Sequence, residues 1–106
     1  MYSVSLDAAR LFSASRAVLE LPTAVFRGLD TPLTSMILNI AEGNGRFSSA
    51  DQERFLGTAH EGAIKMASRL DVCAVRGSVP RKEVEDMKQL LSRVAAMISA
   101  MIRKVE

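Results

Sequence analysis

The last quarter of the chain sets the tightest limit on what it can fold into. Val84, Met87, Leu91, Val94, Ile98, Met101 and Val105 recur at alternating three- and four-residue spacings. That pattern puts all seven side chains on one stripe of an α-helix, whereas a strand would split them between its two faces. A second stripe, Leu90, Met97 and Ala100 with Ala96, widens the apolar face. A helix at the edge of one domain needs an apolar stripe of roughly 100°, so the surplus either lies deep in a tight core or meets another subunit. The run from Leu90 to Ile102 is interrupted by Ser92, Arg93 and Ser99, and it falls short of the about 20 apolar residues of a bilayer span. Glu83, Glu85 and Asp86 early and Arg103 and Lys104 late suit the helix dipole, with Pro80 in the first turn.

The rest of the chain divides at three breaks: Leu21-Pro22 to Pro32, Gly43-Asn44-Gly45, and Gly77-Ser78-Val79-Pro80. The first segment carries Val4, Ala8, Leu11 and Val18 on one side, flanked by Phe12 and Leu19, and Asp7, Arg10 and Ser13 on the other. A second helix is expected from Asp30 or Thr31, with Pro32 in its first turn. It would turn Leu33, Met36 or Ile37, Ile40 and Ala41 inward, Gly43 closing it in a left-handed conformation and Gly45 leaving the turn free. The third starts at Ser48 or Ser49, each three residues before an acidic or amide side chain, as in a capping box. It presents Phe55, Ala59, Gly62, Met66 and Cys73 beside Leu56, Ala63 and Leu70. Glycine mid-helix costs about 1 kcal/mol, so Gly62 implies a close helix approach. No stretch alternates as a strand would. The fold class is all-α, an antiparallel up-and-down four-helix bundle forming a single domain over 1–106.

With 106 residues, 48% apolar content and no polar tract, the chain matches one small packed core rather than a disordered segment. A lone Cys73 excludes an internal disulfide. The first residues, Met1 to Asp7, lack the basic start and apolar run of a secretory signal, and the expected setting is cytoplasmic, without a membrane partner. The formal charge of +2 is unevenly spread. Residues 1–45 hold three basic and four acidic side chains, and residues 46–106 hold eleven and eight.

The segment Leu38-Asn39-Ile40-Ala41-Glu42-Gly43-Asn44-Gly45-Arg46-Phe47-Ser48, continued by Arg54-Phe55-Leu56, resembles the signature of a bacterial family of four-helix-bundle proteins. That family includes proteins encoded by intervening sequences in large-subunit ribosomal RNA genes. The segment is also similar to the accessory variability determinant of diversity-generating retroelements. The likeness in letters runs over about residues 36 to 76 and elsewhere is one of helix order. It implies a homopentameric ring with a basic surface and no enzymatic activity. The partners it implies are RNA or DNA and a reverse transcriptase or ribosomal component.

Read physically, Asn39, Glu42, Gly43, Gly45 and Arg46 close one helix and open the next, with Glu42 able to pair with Arg46. Arg54 and Phe55 complete the motif. No nucleophile set, paired carboxylates or metal-ligand spacing accompanies them, so no catalytic residue, metal site or cofactor is expected. The lone His60 and Cys73 read as packing residues. Lys65, Arg69 and Arg76 fall on one outward face of the third helix, with Arg81 and Lys82 close across a short turn. This cluster is the candidate phosphate-binding surface, against a solvated face in which Glu61 pairs with Lys65. Phe12 and Phe55 read as core and Phe47 as a staple across the turn, leaving no aromatic platform for bases. Leu90, Met97 and Met101 are the candidate oligomer contact. Two functions remain open: a homo-oligomer presenting a basic surface to nucleic acid, and a scaffold that binds only protein.

Overall fold

In the computed structural model, which describes residues 1–105 and of Val105 only the backbone, four long helices and one short one form the molecule. They are α1 (Tyr2–Ala14), α2 (Arg16–Leu19), α3 (Thr23–Asn44), α4 (Ser49–Val75) and α5 (Arg81–Val105). The place of Val105 in the apolar seam lies outside the described side chains. The other six seam residues behave as their spacing predicts: Val84, Met87, Leu91, Val94 and Ile98 are buried, and Met101 packs half-buried against them. Around the bundle α1 packs on α5, α5 on α4, α4 on α3 and α3 on α1, within an envelope of 43 × 21 × 19 Å.

Neighbouring helices run antiparallel because each connection is short. Gly77 turns α4 into α5 with a φ of 74°, which glycine adopts without steric cost. The Ser78 N–H donates to the Cys73 carbonyl at 2.9 Å and closes the helix end. A hydrogen bond from Lys88 to Asp71, 2.8 Å, joins α5 to α4, and it holds the Lys88 ammonium above its ordinary pKa. At the other end of α1, Ser15 accepts from the Val18 N–H at 3.1 Å, capping α2, and donates to Glu83 on α5 at 3.2 Å. This buried serine splits the first apolar segment into two helices. Val18 is buried from α2, while Leu11 is exposed, so the expected single stripe is broken.

The second helix departs from expectation. α3 starts at Thr23, directly after Pro22, and the residues read as a break up to Pro32 are helical, with Pro32 buried inside α3. Proline there deprives the Gly28 carbonyl of its usual donor four residues on. Arg69 of α4 supplies a replacement, its guanidinium donating to the Gly28 oxygen at 2.5 Å. The missing side chain at Gly62 lets α4 close on this point. A Cβ at Gly62 would stand 2.9 Å from the Pro32 carbonyl and 3.3 Å from the Met36 Cβ. The close approach expected at Gly62 is therefore observed, and it answers a proline.

Gly43 also differs from its reading. It is helical, buried and not left-handed; its value is space, since a Cβ there would lie 3.1 Å from Leu56 Cδ2. Gly45 follows as the residue that ends the helix. Leu33, Met36 and Ile40 are buried as expected and Ile37 half-buried, but Ala41 faces solvent.

Two glycines of α4 separate packing from propensity. Gly57 has nothing within 4 Å of a would-be Cβ, so Gly57→Ala should stabilise by about 0.5–1 kcal/mol. Gly62→Ala gains the same helix propensity but drives a methyl into backbone, and it should destabilise by about 1–2 kcal/mol net. Thermal unfolding followed by circular dichroism at matched concentration reads opposite shifts in Tm; two shifts of the same sign would refute the close contact.

Candidate nucleic-acid interface

The family-like motif builds the α3–α4 turn. Glu42 and Arg46 pair at 2.7 Å. The Arg46 guanidinium lies 4.7 Å from the centre of the Phe55 ring and that of Arg54 lies 5.0 Å from it, distances at which a cation is attracted to the ring's π face. Arg54 is also paired with Asp51 at 3.3 Å. Ser48 caps α4 by accepting from the Asp51 N–H at 3.3 Å, which is one of the two caps expected. Asn39 instead donates within α3, to the Ser35 carbonyl at 2.7 Å and the Ser35 hydroxyl at 3.1 Å. Both arginines of the motif are thus satisfied locally, and the turn is a clasp.

Two aromatic readings change. Phe55 is half-buried under the two guanidiniums rather than in the core. Phe47 is fully exposed and staples nothing. The helix boundaries explain the second point: α3 continues to Asn44 and leaves only residues 45–48 for the turn, where Phe47 stands fully in solvent.

The basic residues divide into two groups. Arg81 and Lys82 each face an acid one turn along α5, Glu85 at 3.6 Å and Asp86 at 2.6 Å. Lys65, Arg69 and Arg76 have no carboxylate within 4 Å among the described residues, and the expected Glu61 pairing with Lys65 does not form. All three are exposed, Lys65 and Arg69 on α4 and Arg76 at its C-cap. Lys65 and Arg69 border a shallow groove of about 230 Å³ over the α3–α4 seam, where Thr31, Ser35 and Thr58 add hydroxyls and Glu61 the one acid. Arg69 and Arg76 border a second groove of about 370 Å³ toward the α4 C-terminus, whose floor is apolar. Arg69 belongs to both. Its tether to the Gly28 carbonyl holds it on the seam, while its other N–H donors stay available.

The second groove was hidden in the sequence. Leu21, Val25 and Leu29 help to line it, and all three lie in the stretch read as a break. The signal that could have revealed it was their four-residue spacing running straight into Leu33. Cys73 forms part of the floor. Burial pushes its thiol above the ordinary pKa, opposed by the nearby Arg76 cation, so it remains a protonated, packed side chain at neutral pH.

The candidate oligomer contact sits on α5. Leu90 and Met101 are half-buried against the core and Met97 is exposed, with Ala96 and Ala100 exposed beside it. A 13-residue α1 spans about 20 Å at 1.5 Å per residue. Anchored by Ser15 at the start of α5, it runs out near the middle of that 25-residue helix. Most of the surplus apolar width is thus used inside the bundle, and the part around Met97 is left uncovered. His60 is half-buried on α4. No group of His, Cys, Asp and Glu among the described residues could hold a metal ion, and no described helix is long and apolar enough to cross a membrane.

Residues 32–100 match the model of the 23S rRNA-intervening sequence protein family. A crystal structure from Bacteroides thetaiotaomicron, of a protein with unknown function from the S23 ribosomal protein family, superposes with a TM-score of 0.86. The superposition covers 95% of this chain and 96% of that chain at 18% identity, a likeness of fold. No curated protein matches significantly.

The tether of Arg69 can be isolated by a double-mutant cycle. Arg69→Met should cost about 0.5–1 kcal/mol in urea unfolding, the worth of an ordinary hydrogen bond. In a Pro32→Ala background, where the new N–H serves Gly28, the same change should cost almost nothing. Equal costs in both backgrounds would show that the bond contributes no stability.

Proposed function

The chain belongs to the 23S rRNA-intervening sequence protein family, and from that premise we propose that it is a non-enzymatic, homo-oligomeric helical-bundle protein that binds the backbone of structured RNA. The observation that carries this reading is the stripe of Lys65 and Arg69 on α4 and Arg76 at its C-cap, three exposed cations with no carboxylate within 4 Å among the described residues. Phosphate oxygens are what such a row attracts, and the Thr31, Ser35 and Thr58 hydroxyls beside it suit phosphate and sugar contacts that position without reading sequence. Arg81 and Lys82, already paired, contribute to the field more than to direct contact. DNA would meet the same charges, and the 2′-hydroxyl gives RNA an additional partner for the seam.

Self-association strengthens this reading. The uncovered surface around Met97 is the proposed contact between copies, as excess apolar surface on a small domain marks interfaces. A five-fold ring, the assembly implied for relatives, would bring about fifteen free cations of this stripe together and deepen the local potential. A ribosomal component or a reverse transcriptase would then be a partner reached through the bound nucleic acid. The setting proposed is the cytoplasm.

Titration of a structured RNA and a DNA duplex at several salt concentrations tests the first claim. Binding should weaken steeply as salt rises, and the double variant Lys65→Gln/Arg76→Gln should flatten the salt slope by about two, one per lost phosphate contact. An unchanged slope in a folded variant would remove the stripe from the site. Light scattering on a sizing column tests the second. A mass several times that of one chain is expected, falling in Met97→Glu, and a monomer at micromolar concentration would overturn it.

A further inference from the structure

We propose that the apolar groove between the first turns of α3 and the last turns of α4 docks a helical segment of a partner protein that combines a large apolar side chain with flanking carboxylates. The groove measures about 370 Å³, with Val25, Leu29 and Val72 on its walls and Arg69 and Arg76 at its edges, and no acidic side chain lines it. That volume accepts one or two large side chains, at the low end of ligand-sized sites. The apolar surface also extends beyond it. Val25 is 38% exposed and Val72 51%, and Val75, one turn on from Val72 at the end of α4, is 79% exposed. Aliphatic side chains left in water beside such a groove are what a protein-docking patch looks like.

Charge decides the partner. Both guanidiniums lack a carboxylate partner among the described residues, and they flank an apolar floor rather than a polar one. A phosphate backbone would use the two cations and leave Val25 and Val72 wet. An acidic amphipathic helix uses both: a leucine or phenylalanine fills the groove while carboxylates one turn away meet the arginines in bidentate pairs. The Gly28 tether holds Arg69 in place before the partner arrives, which lowers the ordering cost that binding otherwise carries. Arginine beside a desolvated apolar pocket is also the composition in which binding energy concentrates. This inference shares Arg69 and Arg76 with the RNA reading but adds the apolar lining, which only the peptide engages, so failure of the RNA titration leaves it intact.

The test uses the full chain and a capped helical peptide made of leucine, alanine and glutamate, with a counterpart in which lysine replaces glutamate. Methyl NMR should show the Val25 and Val72 signals shifting on addition of the glutamate peptide, and binding of the lysine peptide should be at least tenfold weaker. Val72→Asp, a change at an exposed position, should abolish binding with helicity unchanged, and Arg76→Gln should weaken it several-fold. Equal binding of both peptides, or no shift with either, would overturn the proposal. So would RNA shifting the same valine methyls as strongly as the peptide, which would give the groove to nucleic acid. A fall in the mass of the free protein on Val72→Asp would give it to a second copy and would likewise overturn the proposal.

Discussion

The contact on which most of the architecture depends is the crossing of α3 and α4 at Pro32 and Gly62. Proline inside a helix removes one hydrogen bond and crowds the preceding turn, at a cost of about 3 kcal/mol when nothing compensates. Here compensation comes from the neighbouring helix in two parts. Gly62 yields the space in which the Pro32 carbonyl sits, and Arg69, two turns further along α4, donates to the carbonyl that proline left free. The pairing also fixes register. Gly28 lies opposite Arg69, Met36 opposite Gly62 and Gly43 opposite Leu56, an antiparallel ladder in which slippage by one turn would place side chains where only glycine fits. α5 packs on the α4 side of this pair, and α1 bridges α5 and α3.

This explains which parts of the fold were legible in the letters. The seam of α5 follows from periodicity alone, because each of its residues is placed by the next within one helix. Pro32 was read as a beginning because its penalty is offset by a residue far away in sequence, and no local rule carries that information. Gly43 is ambiguous in sequence for a related reason: glycine marks both a left-handed turn and a close approach, and only the presence of Leu56 across the gap separates the two. Ser15 was unremarkable in sequence, yet its hydroxyl divides α1 from α2 and joins α5. Phe47 could have stapled the turn had α3 ended at Gly43; with the helix running to Asn44 it has no neighbour.

The candidate site was legible to the same degree. Lys65, Arg69 and Arg76 share a helical face by spacing, so their alignment along α4 needed no tertiary knowledge. That Arg81 and Lys82 sit with Glu85 and Asp86 was equally available, since each pair is four residues apart and such pairs meet on a helix. What the letters could not show was the apolar groove, because its walls come from α3 and α4 together and one of them lay in a stretch assigned to a break.

Arg69 therefore serves two masters, and the physical consequence is specific. A guanidinium has five donors in a rigid plane; one is committed to Gly28, and the side chain borders both the hydroxyl-lined groove and the apolar one. Lysine could not replace it, because an ammonium spent on the carbonyl would retain no planar fork for a carboxylate or phosphate. A proline that the bundle had to accommodate thus leaves a cation immobilised at the surface. Whatever anion binds there meets a donor whose position is set by the fold, not by the ligand.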